Sequence, residues 1–160
     1  MKVFLNGFGR IGRSVLRAWA QGAAPGLQIT GINDIAAPDM CAYLFEYDSV
    51  FGPWHGTVAL ANGALVVDGK AIPLHRTPDI STLDLSGVDV VMECTGRADT
   101  PEIAGRGLAA GAGRILISGP SKAADLTVVL GANDHELRDQ RIVSNASCTT
   151  NALAPLARLI

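Results

Sequence analysis

Three glycines near the amino terminus have the spacing of a phosphate-binding loop. Gly7, Gly9 and Gly12 form a G-x-G-x-x-G pattern between a short apolar run and a helical pattern. In such a loop the first glycine permits a tight turn, the second lets the backbone approach a pyrophosphate, and the third allows close helix–strand packing. Unpaired N–H groups at the start of the helix then face the anion. The pattern predicts dinucleotide binding.

An acidic residue follows the loop where a ribose contact is expected. Asp34 lies roughly 20 residues beyond Gly12, at the end of the second predicted strand. Its carboxylate can accept hydrogen bonds from the adenosine ribose hydroxyls, and it repels the extra phosphate of NADP. Because Ile35-Ala36-Ala37 contains no arginine to neutralise that phosphate, the sequence favours NAD. The alternative is that the glycines form only a tight turn and that Asp34 is a solvated loop acid.

A cysteine late in the chain has the setting of a nucleophile. Cys148 follows the last predicted strand and begins a predicted helix, where the helix dipole favours the thiolate. Ser147 and Thr149 add hydroxyls that can bind an anionic substrate group at the same helix end. On the residues alone, a buried and inert Cys148 is the more frequent outcome, because free cysteine is among the most buried residue types. Cys41 and Cys94 are predicted to belong to the core.

The elements that must position these residues follow an alternation of apolar runs and helical patterns. Together with the glycine loop, this alternation predicts an α/β fold of Rossmann type, with a doubly wound, mostly parallel sheet. The predicted strands are Lys2–Leu5, Leu27–Ile32, Val88–Cys94, Arg114–Ser118, Thr127–Leu130 and Ile142–Ser144. The predicted helices have apolar stripes of Ile11, Val15, Leu16 and Trp19, of Met40, Tyr43, Leu44 and Tyr47, and of Leu153, Leu156 and Ile160, with a further helix near Pro101–Ala110.

The middle of the chain has a different pattern, in which short apolar runs are separated by turn signals. The runs are Thr57–Leu60, Ala64–Val67 and Lys70–Ile72. Asn62-Gly63 and Asp68-Gly69 lie between them, and both dipeptides are strong hairpin signals. This segment predicts a small antiparallel hairpin insertion in the sheet.

Composition and charge exclude several classes of protein. The chain has 160 residues, with 13 Lys and Arg, 15 Asp and Glu, a net charge of −2, and 48% hydrophobic residues. It lacks the clustered positive charge of nucleic-acid-binding proteins. Its apolar runs fall short of the roughly 20 residues that span a bilayer. Three widely spaced cysteines without a CxxC pair predict neither a disulfide framework nor a metal site. We therefore expect a cytoplasmic protein without nucleic-acid or membrane partners.

Seven blocks of the sequence occur in the order in which a known enzyme family has them. The blocks are Asn6–Arg13, Ile32–Asp34, Tyr47–Ser49, Glu93–Gly96, Ser118–Ser121, Ser144–Asn151 and Leu153–Ala157. They resemble phosphorylating, NAD-dependent glyceraldehyde-3-phosphate dehydrogenases. The block Ser-Asn-Ala-Ser-Cys-Thr-Thr-Asn around Cys148 is the most specific of them.

The resemblance implies a glycolytic oxidation at Cys148. The thiol would attack the aldehyde of glyceraldehyde 3-phosphate, the hydride would pass to NAD, and inorganic phosphate would cleave the resulting thioester to give 1,3-bisphosphoglycerate. Ser147 and Thr149 would contact the substrate or the attacking phosphate. The implied cofactor-binding residues are Asn6, Gly7, Gly9, Arg10, Ile11, Gly12, Asn33, Asp34, Arg76, Thr95, Gly96 and Ser118. The family also implies a homo-oligomer, which is a tetramer at full length.

The resemblance further implies that the chain is a fragment. Residues 1–147 would form the NAD-binding domain, residues 148–160 would begin a truncated helix of the catalytic domain, and the substrate domain would be absent. The family's general-base histidine and its phosphate-binding arginine lie further along the chain, so we expect NAD binding without turnover. Two alternatives remain open. One is a fragment of erythrose-4-phosphate dehydrogenase, which shares the cysteine block, and the other is a non-catalytic nucleotide-binding or oligomerisation module.

Overall fold

A computed structural model describes residues 1–160, which form one large sheet flanked by helices. The strands are Lys2–Asn6 (β1), Gln28–Asn33 (β2), Tyr47–Asp48 (β3), Gly52–Pro53 (β4), Val58–Ala61 (β5), Ala64–Val67 (β6), Lys70–His75 (β7), Val90–Glu93 (β8), Arg114–Ile117 (β9), Leu126–Thr127 (β10) and Ile142–Ser144 (β11). The α-helices are Arg10–Ala20 (α1), Pro38–Glu46 (α2), Pro101–Ala104 (α3), Arg106–Ala109 (α4) and Cys148–Leu159 (α5). None of the helices is long and apolar enough to cross a membrane.

The strand order confirms the predicted fold class. In the order β10-β11-β9-β8-β1-β2-β7-β6-β5, every pair from β10 to β7 is parallel, and β7, β6 and β5 form the predicted antiparallel insertion. Strands β3 and β4 form a separate two-stranded sheet that the sequence did not predict. The chain leaves β1 toward β2 on one side and later returns to β8 on the other. Such a reversal opens a crevice at the carboxyl ends of the strands.

Both faces of β1 are buried, which explains its continuous apolar run. Val3 and Leu5 pack on one face with Leu16 of α1 and residues of α2. Phe4 points to the opposite face and packs with Val91 of β8 in a second core cluster. Successive side chains of a strand alternate between faces, so a strand covered on both sides needs apolar residues at every position. The central strand that carries the glycine loop is therefore fixed from both sides.

The two predicted hairpin turns are confirmed. Asn62 and Asp68 have φ of 50°, and the glycines that follow them, Gly63 and Gly69, have φ of 74° and 78°. Consecutive residues with positive φ are the requirement of a type I′ turn, which Asn-Gly and Asp-Gly meet best. Strand β7 is longer than predicted, because it continues to His75 and pairs there with β2.

The predicted apolar stripe of α2 is wrong. Its predicted members are exposed or half-buried: Met40, Tyr43, Leu44 and Tyr47. The buried residues are Cys41 and Phe45, and Tyr47 belongs to β3 rather than to the helix. The ring of Phe45 lies between those of Phe8 and Trp54, with centroids 6.2 and 5.3 Å away. These long-range aromatic contacts decide which face of α2 is buried.

Four further predictions differ from the structure. The expected helix at Pro101–Ala110 is divided into α3 and α4 at Gly105. The expected strand at Thr127–Leu130 is reduced to β10, because the Asn133 side chain bonds the Thr127 carbonyl at 3.0 Å and the Val129 N–H at 2.8 Å. Two predicted apolar stripes are not fully buried. Ile11 of the α1 stripe is exposed, and the whole stripe of Leu153, Leu156 and Ile160 in and after α5 is exposed.

An arginine of α1 ties together the end of α2 and β4. Arg17 is buried, and its guanidinium donates to the carbonyls of Phe45, Glu46 and Gly52 at 2.5 to 3.2 Å. The first two carbonyls belong to the last turn of α2, where no helical N–H remains to pair with them. The guanidinium also lies about 5.5 Å from the Trp54 ring centroid. Arg17 thus satisfies a helix end without any acidic partner.

Candidate functional site

The glycine loop connects β1 to α1 at the crevice. Gly7 has φ of 94°, which favours glycine, and its N–H donates to the Asn33 carbonyl of β2 at 2.8 Å. A Cβ on Gly12 would lie 2.1 Å from the Gly7 carbonyl oxygen, so α1 packs on the turn too closely for any side chain. Gly9 is the N-cap residue of α1 and supplies no side-chain acceptor. The first N–H groups of α1 are thus available to an anion.

Asp34 is joined to this loop by hydrogen bonds. Its carboxylate accepts from the Phe8 N–H at 2.6 Å and from the Ala36 N–H at 2.8 Å. The side chain is half-buried at the carboxyl end of β2. Asp34 is therefore a bonded part of the loop rather than a solvated acid, and its negative charge is held beside the residues that would meet a dinucleotide.

A chain of buried polar side chains crosses the ends of β2, β1 and β8. The Asn33 amide donates to the Asn6 Oδ1 at 2.8 Å, and the Asn6 amide donates to the Glu93 Oε2 at 2.5 Å. The other oxygen of Glu93 accepts from the N–H of Thr95 at 2.9 Å and from its hydroxyl. At the opposite end, the Asn33 amide bonds both the N–H and the carbonyl of Thr77 at 2.9 and 3.0 Å.

These elements surround a cleft of about 460 Å³. The predicted residues that line it are Asn6, Gly7, Gly9, Asn33, Asp34 and Thr95. The lining residues that the sequence analysis missed are Ile35, Thr77, Pro78, Ile80, Glu93, Cys94, Arg97, Ile103 and Arg106. A charged residue directly after Val90-Val91-Met92 was the available signal for Glu93. The others lie in loops and short helices, including α3 and α4, which only the folded sheet brings together. Cys94, which was predicted to be core, forms part of the cleft wall.

Six predicted cofactor residues lie outside the cleft lining: Arg10, Ile11, Gly12, Arg76, Gly96 and Ser118. Arg10 and Ile11 are exposed on the first turn of α1. Arg76 is held near the cleft, because its Nε donates to the Ile35 carbonyl at 3.0 Å. Gly96 directly follows Thr95 of the lining. Ser118 follows β9 and contacts the cleft wall, since its N–H donates to the Glu93 carbonyl at 3.0 Å.

Cys148 is the first residue of α5 and is exposed, so the interpretation of a buried thiol is wrong. Ser147 caps the helix, because its hydroxyl accepts from the Thr150 N–H at 3.0 Å. The Ser147 and Thr149 hydroxyl oxygens lie 2.9 Å apart. The helix follows β11, whose carboxyl end lies at the same edge of the parallel sheet as the glycine loop. The thiol therefore has solvent access and the predicted helix-end setting.

Comparison with known proteins agrees with the site. The family model described as "Glyceraldehyde 3-phosphate dehydrogenase, NAD binding domain" matches residues 1–101, which include the glycine loop, Asp34 and Glu93. The chain belongs to the glyceraldehyde-3-phosphate dehydrogenase family. The predicted family is thereby confirmed and is favoured over erythrose-4-phosphate dehydrogenase.

Curated relatives in the glyceraldehyde-3-phosphate dehydrogenase family match the whole chain. "Glyceraldehyde-3-phosphate dehydrogenase, cytosolic" of Leishmania mexicana is 47% identical, and "Glyceraldehyde-3-phosphate dehydrogenase A" of Escherichia coli is 48% identical. A relative named "Glyceraldehyde-3-phosphate dehydrogenase" from Bacteroides fragilis is 44% identical. The alignments cover 100% of this chain but 48 to 49% of these proteins, so the chain spans about half the length of the curated relatives it matches.

The residues present fit the cofactor for which the family model is named. The contact of Gly12 with the Gly7 carbonyl leaves no room for a Cβ, so α1 begins directly on the turn. Around the position of a Gly9 Cβ, by contrast, no atom lies within 4 Å, which leaves space for a pyrophosphate to approach the backbone. The bonded Asp34 at the end of β2 can offer a carboxylate acceptor to ribose hydroxyls. This donor and acceptor set suits NAD.

The three thiols of this chain are expected to differ in reactivity. Burial, followed by the Asp34 charge, raises the pKa of Cys41 to about 11. Burial also raises the pKa of Cys94 to about 11, against a lowering hydrogen bond from Ser118. Both thiols are therefore neutral at about pH 8, and only the thiolate is the nucleophile. We expect iodoacetamide to label Cys148 alone in the native chain, and all three cysteines after unfolding, as measured by mass spectrometry.

The matched control for this labelling is Cys148→Ser, which should leave no fast-reacting thiol in the native chain. Fast native labelling of Cys41 or Cys94 at about pH 8 would contradict the prediction. Since a larger fraction of the Cys94 thiol is ionised as the pH rises toward its pKa of about 11, iodoacetamide should label Cys94 faster at higher pH.

Proposed function

We propose that the chain binds NAD in the cleft at the carboxyl ends of β1, β2 and β8. The observation that carries this proposal is the packed glycine loop with Asp34 bonded to it, since both Asp34 oxygens hold backbone N–H groups at 2.6 and 2.8 Å. Together these features offer N–H donors to a pyrophosphate and an acceptor to a ribose. NAD is also the cofactor for which the matched family model is named.

We propose a role for each predicted residue. Gly7, Gly9 and Gly12 shape the loop, and the backbone of Arg10 and Ile11 begins the helix that faces the pyrophosphate. Asn33 and Asp34 lie where β2 ends and would hold the adenosine ribose. Arg76, fixed by the Ile35 carbonyl, would cover the adenine. Asn6, Thr95, Gly96 and Ser118 would continue the site across β1, β8 and β9.

For a longer protein that contains this chain, we propose phosphorylating oxidation of glyceraldehyde 3-phosphate in glycolysis. The Cys148 thiolate would add to the aldehyde carbon, and the resulting oxygen would take up a proton to give a thiohemiacetal. Bound NAD supplies the hydride acceptor. Once the thiohemiacetal hydroxyl gives its proton to the base that the longer protein supplies, Cys148 would carry a thioester, and a phosphate oxygen would displace the sulfur as thiolate to release 1,3-bisphosphoglycerate. The α5 N-terminus with Ser147 and Thr149 would bind the anionic groups.

The nucleotide domain would span residues 1–147, with residues 148–160 beginning the catalytic domain. On this division the present chain holds the cofactor site and the nucleophile but neither the base nor the substrate-phosphate arginine that the family supplies further along. Loss of a general base typically costs about 10²–10⁴-fold in rate, so we propose negligible turnover by this chain alone. The longer protein would be a cytoplasmic homo-oligomer, a location supported by the relative named as cytosolic.

Calorimetric titration with NAD and NADP tests the binding proposal. We expect the unchanged chain to bind NAD more tightly, because the Asp34 charge meets the extra phosphate of NADP. In Asp34→Asn this charge is absent, and we expect the ratio of the two affinities to fall about tenfold. The introduced amide also has one acceptor for two backbone N–H groups, so NAD itself should bind more weakly.

The matched control is Asp39→Asn, which removes the same charge from an exposed position outside the cleft. It should leave both affinities unchanged. Failure of the unchanged chain to bind NAD would overturn the proposed function. Equal preference for NAD and NADP in the unchanged chain would refute the role of Asp34.

A further inference from the structure

The hydrogen-bond network of Asn33, Asn6 and Glu93, which crosses β2, β1 and β8, has a fixed direction from donor to acceptor. It begins at the backbone of Thr77, whose N–H donates to the Asn33 Oδ1 and whose carbonyl accepts from the Asn33 Nδ2. These two contacts fix the orientation of the Asn33 amide, because reversing it would place donor against donor and acceptor against acceptor. The Asn33 Nδ2 must therefore donate onward, and the Asn6 Oδ1 accepts from it at 2.8 Å.

The direction continues to Glu93 and ends on a second backbone group. With its oxygen engaged by Asn33, the Asn6 side chain can present only N–H to Glu93. From the other side, the Thr95 N–H donates to the Glu93 Oε1 at 2.9 Å. Donors thus reach Glu93 from both ends. A residue at this position must accept on both of its terminal atoms, and among the common side chains of this length only the carboxylate does so.

Glu93 meets this requirement in a setting without a cationic partner. Its side chain is 4% exposed, and the only ion pair within 4.0 Å in the structure joins Arg106 to Asp79. A buried carboxylate is stabilised here by hydrogen bonds alone, and such a group is costly unless every oxygen is paired. Apolar residues of similar volume could stabilise the fold at these positions equally well, so the network indicates a positioning role for Glu93.

We infer that Glu93 is a positioning residue of the cofactor site, an inference that rests on the proposed NAD binding. Glu93 and the other members of its hydrogen-bond network line the cleft: Asn6, Asn33, Thr77 and Thr95. Asn33 immediately precedes Asp34, and Thr95 immediately precedes Gly96. One carboxylate therefore sets the spacing between the ribose side of the cleft on β2 and the wall that follows β8.

The experiment is a donor–acceptor exchange. In Glu93→Gln one end of the network must place donor against donor, and relieving that clash displaces either Asn6 or Thr95. We expect the Kd for NAD to rise about tenfold, as measured by calorimetry. In the double variant Asn6→Asp with Glu93→Gln, the introduced aspartate accepts from Asn33 and from the introduced glutamine, whose oxygen accepts from Thr95. Every group is paired again, and the Kd should return to within about twofold of the unchanged chain.

The single variant Asn6→Asp completes the set, because it opposes two carboxylates and should also weaken NAD binding. The control is Asp89→Asn, which neutralises an acceptor of the Lys2 N–H at the opposite end of β1 and should not change the Kd. Thermal midpoints are measured for all variants. A second substitution would not reverse a general loss of stability. It would, however, restore the pairing of hydrogen-bond donors and acceptors that each single variant loses.

The outcomes separate the two proposals. If the unchanged chain does not bind NAD, the proposed function fails and this inference fails with it. If the unchanged chain binds NAD and Glu93→Gln binds equally well, or if the double variant binds no better than Glu93→Gln, the inference fails while the proposed function stands. Restored affinity in the double variant supports the inference.

Discussion

Gly12→Ala is expected to lower the free energy of unfolding by about 4 kcal/mol or more. The added Cβ would lie 2.1 Å from the Gly7 carbonyl oxygen and 3.1 Å from its carbonyl carbon. Relief of overpacking is inexpensive when a flexible side chain can move, but here the obstacle is backbone. Gly7 itself cannot retreat easily, because a Cβ at its own position would already lie 2.7 Å from Thr95 N. Either α1 separates from β1 or the turn is lost.

Urea denaturation followed by circular dichroism measures this effect. Because α1 supplies Leu16 to the core, displacement of the helix should also expose apolar surface and increase binding of a hydrophobic dye. Gly63→Ala tests whether removing any glycine has the same effect, since no atom lies within 4 Å of that Cβ position and only its positive φ of 74° resists substitution. Its cost should stay near 1 kcal/mol, about that of an unfavourable turn conformation. A Gly12→Ala midpoint equal to that of the unchanged chain would contradict the prediction.

The features that the sequence predicted correctly depend on local chemistry. The glycine loop and the Asn62-Gly63 and Asp68-Gly69 turns need positive φ or close approach, and few residue types supply either. The apolar run of β1 has both faces buried, so its pattern is unambiguous. For these elements the identity of the residue and the required backbone geometry are nearly the same information.

The features that the sequence did not predict depend on partners distant in the chain. The buried face of α2 is selected by the contact of Phe45 with Phe8 and Trp54, and neither periodicity nor residue type contains that contact. Arginine is typical of the solvent-facing side of a helix, yet Arg17 is buried because carbonyls of α2 and β4 converge on its guanidinium. Side chains of this kind cover apolar surface with their stems and bond backbone with their heads.

The candidate site shows the same division. Gly7, Gly9 and Asp34 were found because their spacing has a mechanism, whereas Thr77 and Arg97 enter the cleft from loops that the parallel sheet places beside β1. Glu93 lies between the two cases. Its position after an apolar strand was visible, but its role depends on Asn6 and Asn33, which are far from it in sequence and adjacent in register: Asn6 pairs with Asn33 on one side and with Glu93 on the other.

Gly9→Ala is expected to leave the chain folded and to weaken NAD binding about 100-fold. The backbone of Gly9 has φ of −71°, which any L-residue adopts, and no atom lies within 4 Å of its Cβ position. The unfolding midpoint should therefore not fall. The same space is where a pyrophosphate must approach the backbone, so a methyl group there displaces the anion from the N–H groups of α1. A loss of about 2.7 kcal/mol corresponds to that factor.

Calorimetry with NAD, together with urea denaturation, separates Gly9→Ala from Gly12→Ala. The two variants carry the same substitution within one loop, yet one should lose affinity at unchanged stability and the other should lose stability itself. Gly22→Ala is a further control for affinity, because that glycine lies beyond the far end of α1, away from the cleft. Its positive φ of 82° should cost about 1 kcal/mol of stability, but NAD affinity should stay unchanged. Undiminished NAD binding by Gly9→Ala would mean that the cofactor does not approach the loop at this glycine, and the pyrophosphate would then have to be assigned to another part of the cleft.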